Sequence, residues 1–341
     1  MDLVALVDDE EHVCCRYRLM AFRPFLEAAG HTLTMARLPK TVLGRVAVYR
    51  SLHSADVVIL QRKLLSRLEL VLLRSFAQRL VFDFDDALWL RDSYSSKGFE
   101  SPRRSARFKA TMRAADLVLA GNLYLADAAT RYATAERVRI VPTCVDPRAY
   151  PIRNNPAGDS IRLVWVGSSS TLHGLDRFRE VLEAVGREVP GTRLKLICDR
   201  FLKFDHLPVD AVPWSADTEA AELADAEIGI SWVPSDPWSR GKCGLKILQY
   251  QAARLPVVAN PVGVQIDMVQ NGITGVLAET AQEWVHAIAR LAANPTLRKS
   301  LGNAGWKQVE NQFSVTVGAK LWMDALATLA HSNRRTTRTA G

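Results

Sequence analysis

Residues 241–260 read GKCGLKILQYQAARLPVVAN: a loop, a helix, a tight turn and a buried strand in succession. A glycine at the start of the helix lets backbone N–H groups come close to a ligand, and a helix N-terminus attracts anions. Lys242 and Lys246 add mobile positive charge beside it. On spacing alone the stretch is either a cradle for a diphosphate or an ordinary helix entry with two solvated lysines. Its value for the fold is its rhythm, helix then short apolar strand, which recurs along the whole chain.

Short β-rich apolar runs alternate with helix-length amphipathic segments, the pattern of βαβ units and parallel sheets. In the first half the predicted strands are Leu3–Val7, Thr32–Ala36, Val57–Leu60, Leu80–Phe84, Leu117–Ala120 and Val138–Val141. Residues 145–160 (VDPRAYPIRNNPAGDS) then crowd three prolines, a glycine and paired asparagines between two hydrophobic segments, the composition of a linker. The rhythm restarts with Ile161–Val166, Leu194–Cys198, Ala211–Trp214, Ile228–Val233, Pro256–Ala259 and Gly275–Leu277, and from Thr280 onward it is wholly helical. The expectation is an α/β chain of two Rossmann-like, doubly wound parallel-sheet domains: 1–150, 151–315, then a helix over 315–330 crossing back to the first domain. Residues 331–341 read as a basic, disordered tail. In such sheets ligands sit at the carboxyl ends of the strands, so function is expected in the strand-to-helix loops.

A chain of 341 residues with 48% apolar and 23% charged side chains has enough material for two such cores. No apolar run approaches the roughly 20 residues of a membrane span. The first apolar stretch is followed at once by Asp8-Asp9-Glu10-Glu11, the wrong charge order for a secretory signal, so a cytoplasmic location is expected. Five scattered cysteines without paired C-x2-C spacing read as reduced and structural. The net charge is +8, and residues 37–79 hold nine Lys/Arg against Asp56 and Glu69. That basic stretch is either a set of solvated helix faces or a contact for an anionic partner: an anionic acceptor, or peripheral attachment at the inner face of a membrane. Nucleic acid is not expected, since basic and aromatic residues are not interleaved.

The run from Lys242 through Gly263, with Asn271-Gly272-Ile273-Thr274-Gly275-Val276-Leu277 after it, resembles the donor-binding half of family 4 glycosyltransferases, the group 1 glycosyltransferases of the GT-B fold. Residues 294–314 look like that family's C-terminal helices. The resemblance covers residues 138–325 well and the first 137 loosely. It implies transfer of a sugar, in the hexosyltransferase class, from a nucleoside diphosphate sugar as co-substrate, with retention of configuration and with no tightly bound cofactor or metal. The acceptor is implied to be a carbohydrate, a lipid-linked molecule or another small molecule bound by the first domain. A non-catalytic nucleotide-sugar-binding protein and a sugar-nucleotide epimerase are the alternative readings.

The same resemblance nominates donor residues. The family's usual pair of glutamates falls here on Gly241 and Gln249; an amide can take over the second one's bond to the donor ribose. The loop Gly167-Ser168-Ser169-Ser170, followed by His173, offers hydroxyls and N–H groups to phosphate oxygens, or is a plain polar turn. Serine and histidine stand where the family often has arginine and lysine, which leaves Arg240, Lys242 and Lys246, with Gly244 and Leu245 at the helix start, to neutralise a diphosphate. In the first domain Asp83, Asp85 and Asp86 crowd the end of a strand. Asp85 and Asp86 are candidates for activating the acceptor or stabilising an oxocarbenium-like transition state, unless one caps the next helix. Arg16 and Arg18 either hold an acceptor phosphate or are solvated.

Other chemistries lack their marks. The acidic pair after the first strand suggests a receiver domain, but the third strand ends Gln61-Arg62-Lys63 with no phosphoacceptor aspartate. The seven histidines show no HxxH or HExxH spacing, and neither G-x-G-x-x-G after a first strand nor G-x-S-x-G occurs.

Overall fold

The computed structural model describes residues 1–152 and 160–336, with side chains of the last helix described up to Leu329. The part of the predicted linker over 153–159 and the tail beyond Thr336 lie outside these residues. The first sheet comprises β1 (Asp2–Val7), β2 (Thr32–Arg37), β3 (Val57–Gln61), β4 (Leu80–Phe84), β5 (Leu117–Ala120) and β6 (Val138–Ile140), in the order β2-β1-β3-β4-β5-β6. The second comprises β7 (Ile161–Val166), β8 (Thr192–Cys198), β9 (Val209–Pro213), β10 (Ile228–Ser231), β11 (Val257–Ala259) and β12 (Gly275–Leu277), in the order β12-β11-β10-β7-β8-β9. Every neighbouring pair is parallel. The two doubly wound sheets expected from the alternation are therefore present.

Parallel strands covered on both faces read as unbroken apolar runs, and β3 and β4 are buried at every position. Alternate residues serve opposite faces. Val58, Leu60, Leu80, Phe82 and Phe84 enter one core of the first unit; Val57, Ile59 and Val81 enter the other. That second core is completed by Ala319, Trp322, Ala325, Leu326 and Leu329 from the last helix, Val315–Thr336, at helical spacing. The helix runs on to Thr336, into the stretch predicted as a disordered tail, which corrects that boundary.

The chain forms two compact units. The first contains Met1–Cys144, Asp236–Cys243 and Val315 onward; the second contains Val145–Ser235 and Gly244–Ser314. One passage between the units falls within the stretch 241–260: Lys242 and Cys243 pack with the first unit, while Gly244 opens the helix Leu245–Ala252 of the second.

Candidate active site

In each sheet the strand order reverses once, between β1 and β3 in the first and between β7 and β10 in the second. These switch points are where loops diverge and leave a crevice. In the first unit β1 runs into Asp8 and β3 into Arg62 and Lys63, and these residues line a cavity of about 510 Å³. Arg103, Arg104 and Arg107 close it from the helix Pro102–Ala114, which Ser101 caps at its N-terminus and which buries Phe108, Thr111 and Met112 on the other face. Asp86, Asp92 and Trp238 also line it.

The charges in this groove are unevenly committed. Lys63 grips Asp8 at 2.7 Å. Arg62, at φ 56°, a conformation costly for any residue but glycine, bridges Asp85 and Asp86 at 2.5 Å each. Arg104 donates to the Leu90 carbonyl at 2.5 Å and Arg107 to the Leu64 carbonyl at 3.2 Å. Among the described residues no carboxylate pairs with Arg103, Arg104 or Arg107, so the groove, lined by these three arginines with Arg62 and Lys63 against Asp8, Asp86 and Asp92, carries a net positive charge.

The three strand-end carboxylates have different environments. Asp83 is fully buried against Arg18, whose Nε donates to both carboxylate oxygens at 3.1 and 3.0 Å and whose Nη2 donates at 2.5 Å. Burial works to lower the Arg18 pKa, but the Asp83 charge and hydrogen bonds raise it above its ordinary value, so the guanidinium stays charged. Arg18 also donates to the Val141 carbonyl at 2.9 Å. It is a core cation with no exposed surface, which corrects its assignment to acceptor binding. Arg16 is half-buried, its guanidinium 5.2 Å from the Tyr17 ring centroid, and it does not line the groove. For Asp85, burial raises the pKa, but the charges of Arg62 and Arg18 outweigh it and hold the carboxyl below its ordinary value. That makes Asp85 a weak base and a firm negative charge. Asp86 faces the groove, with Lys242 Nζ 3.8 Å away.

The segment Asp236–Cys243 is held in the first unit by Asn122, whose Nδ2 donates to the carbonyls of Gly241 and Lys242 at 3.2 and 3.0 Å. A side chain at Gly241 would meet the Ala87 nitrogen at 2.7 Å, so a glutamate has no room there. Lys242 rests on the Trp238 ring, 3.8 Å from its centroid; Arg240 lies in the same segment's short 3-10 turn.

In the second unit, Gly167 follows β7, and a Cβ there would meet the Trp165 ring at 2.5 Å. The closeness matters because Lys246 lies over that ring, 4.4 Å from its centroid. One indole thus joins the loop at 167–170 to the start of the helix Leu245–Ala252. Tyr250, on the same helix, accepts a hydrogen bond from the Val166 N–H at 3.1 Å and ties the two elements further. Gly244 caps the helix at φ 66°, and its Cα faces the Met268 sulfur so closely that a Cβ would come within 2.4 Å. Leu245 follows as the first helical residue. The loop itself is partly satisfied: Ser168 and Ser170 hydroxyls pair at 2.8 Å, and the Ser169 N–H donates to Asp199 at 2.6 Å. His173 is exposed on the helix after it.

Residues 160–294 match the family model described as glycosyl transferases group 1. That segment is a group 1 glycosyltransferase domain. No curated protein matches the chain. Among solved structures, the chain is similar to the sucrose-phosphate synthase of Thermosynechococcus elongatus, with a TM-score of 0.74 at 17% identity over 97% of this chain and 99% of that one. Anabaena HepE in complex with UDP and glucose gives 0.71 at 16% identity, over 96% and 100%. WaaG, a glycosyltransferase involved in lipopolysaccharide biosynthesis, gives 0.64 at 14%, over 93% and 98%. The fold is GT-B.

The group 1 domain holds a carboxylate that the sequence reading missed. Gln249 is buried, and its Nε2 donates to Glu219 Oε1 at 2.8 Å; the other oxygen of Glu219 accepts from Trp214 Nε1 at 2.5 Å. Glu219, also buried, comes from a separate helix, Glu219–Ala224, thirty residues earlier, where an acid reads as a routine first-turn residue. A buried carboxylate beside an amide suits the vicinal hydroxyls of a ribose. Glu219→Ala is expected to weaken nucleoside diphosphate binding by about tenfold or more, the worth of one charge-assisted hydrogen bond. Calorimetric titration checks it; an unchanged Kd in the folded variant would leave Glu219 a purely structural strut.

Proposed function

We propose that the chain transfers a sugar from a nucleoside diphosphate sugar to an anionic small-molecule or lipid-linked acceptor, with retention of anomeric configuration. The observation that carries the reading is the Lys246–Trp165–Gly167 cluster inside the group 1 domain, at the switch point of its sheet. As the donor's glycosidic bond breaks, negative charge builds on the diphosphate. Lys246, the N–H groups at the start of the helix after Gly244 and the hydroxyls of Ser168 and Ser170 supply stabilisation there. Glu219, with Gln249 beside it, takes the ribose. HepE, bound to UDP and glucose, and the other GT-B relatives support a nucleotide-sugar donor.

The acceptor is assigned to the first unit's groove. Its net positive lining, with three arginines that no described carboxylate pairs, favours an acceptor bearing phosphate or carboxylate. Asp86 is proposed to hold the acceptor hydroxyl, and Asp85, locked as an anion by Arg62, to stabilise positive charge developing on the sugar. A basic groove replaces the pair Arg16 and Arg18 in this role.

A thermal-shift screen against UDP, GDP, ADP, TDP and CDP and their sugar conjugates tests the reading. A ligand at 100 times its Kd stabilises by about 2.7 kcal/mol, a clear rise in Tm. One base is expected to stand out, and incubation with its sugar conjugate is expected to release the nucleoside diphosphate. Binding without release would favour a non-catalytic receptor, a changed sugar on intact nucleotide would reveal an epimerase, and no shift by any nucleotide would overturn the donor site.

A further inference from the structure

Two neighbouring helices of the first unit carry apolar side chains that the fold leaves in solvent. The helix Val42–Ser51 presents Val42 and Leu43, 63% and 84% exposed; the helix Arg67–Phe76 presents Leu68 and Val71, 84% and 70% exposed. The second helix already has an inward stripe, Leu70 and Leu73, both buried, so Leu68 and Val71 form a second apolar stripe at i, i+3 on the opposite side. Arg45, in the first turn of one helix, is ion-paired with Glu69, in the first turn of the other, which brings the four aliphatic residues to the same end of the pair. Isolated exposed aliphatics are ordinary; four gathered at one end of a helix pair mark an interaction surface.

The charge around them selects the occupant. Lys40 precedes the first helix and Arg67 opens the second; both are exposed, and among the described residues neither has an acidic partner. The only acids between Arg37 and Arg79 are Asp56 and Glu69. Glu69 is neutralised by Arg45, and Asp56 accepts the Asp2 N–H at 2.8 Å. Aliphatic side chains flanked by two unpaired cations, Lys40 and Arg67, complement a bilayer with anionic headgroups: the leucines and valines enter the headgroup boundary and the cations meet phosphate. We propose that this face is a docking surface for an anionic lipid membrane, independent of the donor and acceptor sites.

The test uses the full chain in co-sedimentation with phosphatidylcholine vesicles, with and without phosphatidylglycerol. Binding is expected only to the anionic vesicles and is expected to fall as salt is raised and the Debye length drops below about 10 Å. Leu43→Glu with Leu68→Glu is expected to cut partitioning about tenfold or more, and Lys40→Glu with Arg67→Glu to do the same. These side chains are exposed, so Tm and nucleotide-induced Tm shifts should be unchanged in both variants, which separates loss of docking from loss of fold or of the donor site. Failure of the wild-type chain to bind anionic vesicles at low salt, or full binding by the Leu43→Glu/Leu68→Glu variant, would overturn the proposal. So would a dimer in sedimentation velocity that this variant dissociates while vesicle binding persists, because the face would then be covered by a second copy.

Discussion

Arg18→Leu is expected to cost about 3–5 kcal/mol of stability, measured as a fall in the urea midpoint. The change removes four hydrogen bonds, three to Asp83 and one to the Val141 carbonyl, and leaves a buried carboxylate without its counter-charge, with Gln61 Nε2 donating to it at 3.4 Å. A domain's whole stability is about 5–15 kcal/mol, so the single variant should be close to unfolding. Asp83→Leu added to it is expected to recover much of the loss, because the buried charge goes and a well-packed apolar pair can match a buried ion pair. A single variant as stable as the wild type, or a double variant less stable than the single, would show that the pair does not behave as a sealed ion pair.

The second large effect is on turnover. Lys246→Ala is expected to lower kcat by about 10²- to 10³-fold, the usual consequence of removing one group that meets charge developing in a transition state. Its contribution to the fold is small: the contact with Trp165 is a half-buried cation–π pair worth roughly 1 kcal/mol. The variant should therefore fold, with Tm little changed, and fail in chemistry. Steady-state kinetics with the nucleotide sugar identified by thermal shift decides the matter; a decrease smaller than about threefold would move the diphosphate site elsewhere.

The sheet architecture was legible because it is written in local composition. Leu80-Val81-Phe82-Asp83-Phe84 cannot be a helix face or a loop, and flanking turns cut each such run to strand length. The loops proposed for the donor could be located for the same reason, since Gly167 and Gly244 stand next to recognisable strands and helices. What stayed hidden depends on pairs distant in sequence. Arg18 meets Asp83 across 65 residues, and nothing in Arg16-Tyr17-Arg18 says which arginine turns inward. One signal was available: an aspartate between two phenylalanines of a buried strand requires a buried counter-charge. Glu219 gave no comparable sign, because its partner Gln249 lies on another helix. The groove arginines were passed over since Arg103, Arg104 and Arg107 read as the solvated face of an amphipathic helix until Arg62 and Lys63 are brought opposite them.

The segmentation of the units has a practical outcome for anyone wishing to study them apart. The backbone passes from one unit to the other after Cys144, Ser235, Cys243 and Ser314, so neither is a contiguous gene fragment. A clone ending at Cys144 would lack Trp322, Ala325 and Leu326, which cover one face of the first sheet, and would be expressed with that face bare. A workable single-unit clone of the first half must graft residues 315–329 behind Cys144 and supply Asp236–Cys243 as a bridging loop. Chimaeras that exchange one unit need matched junctions at all four passages, and a swap made at the linker alone would mix two cores.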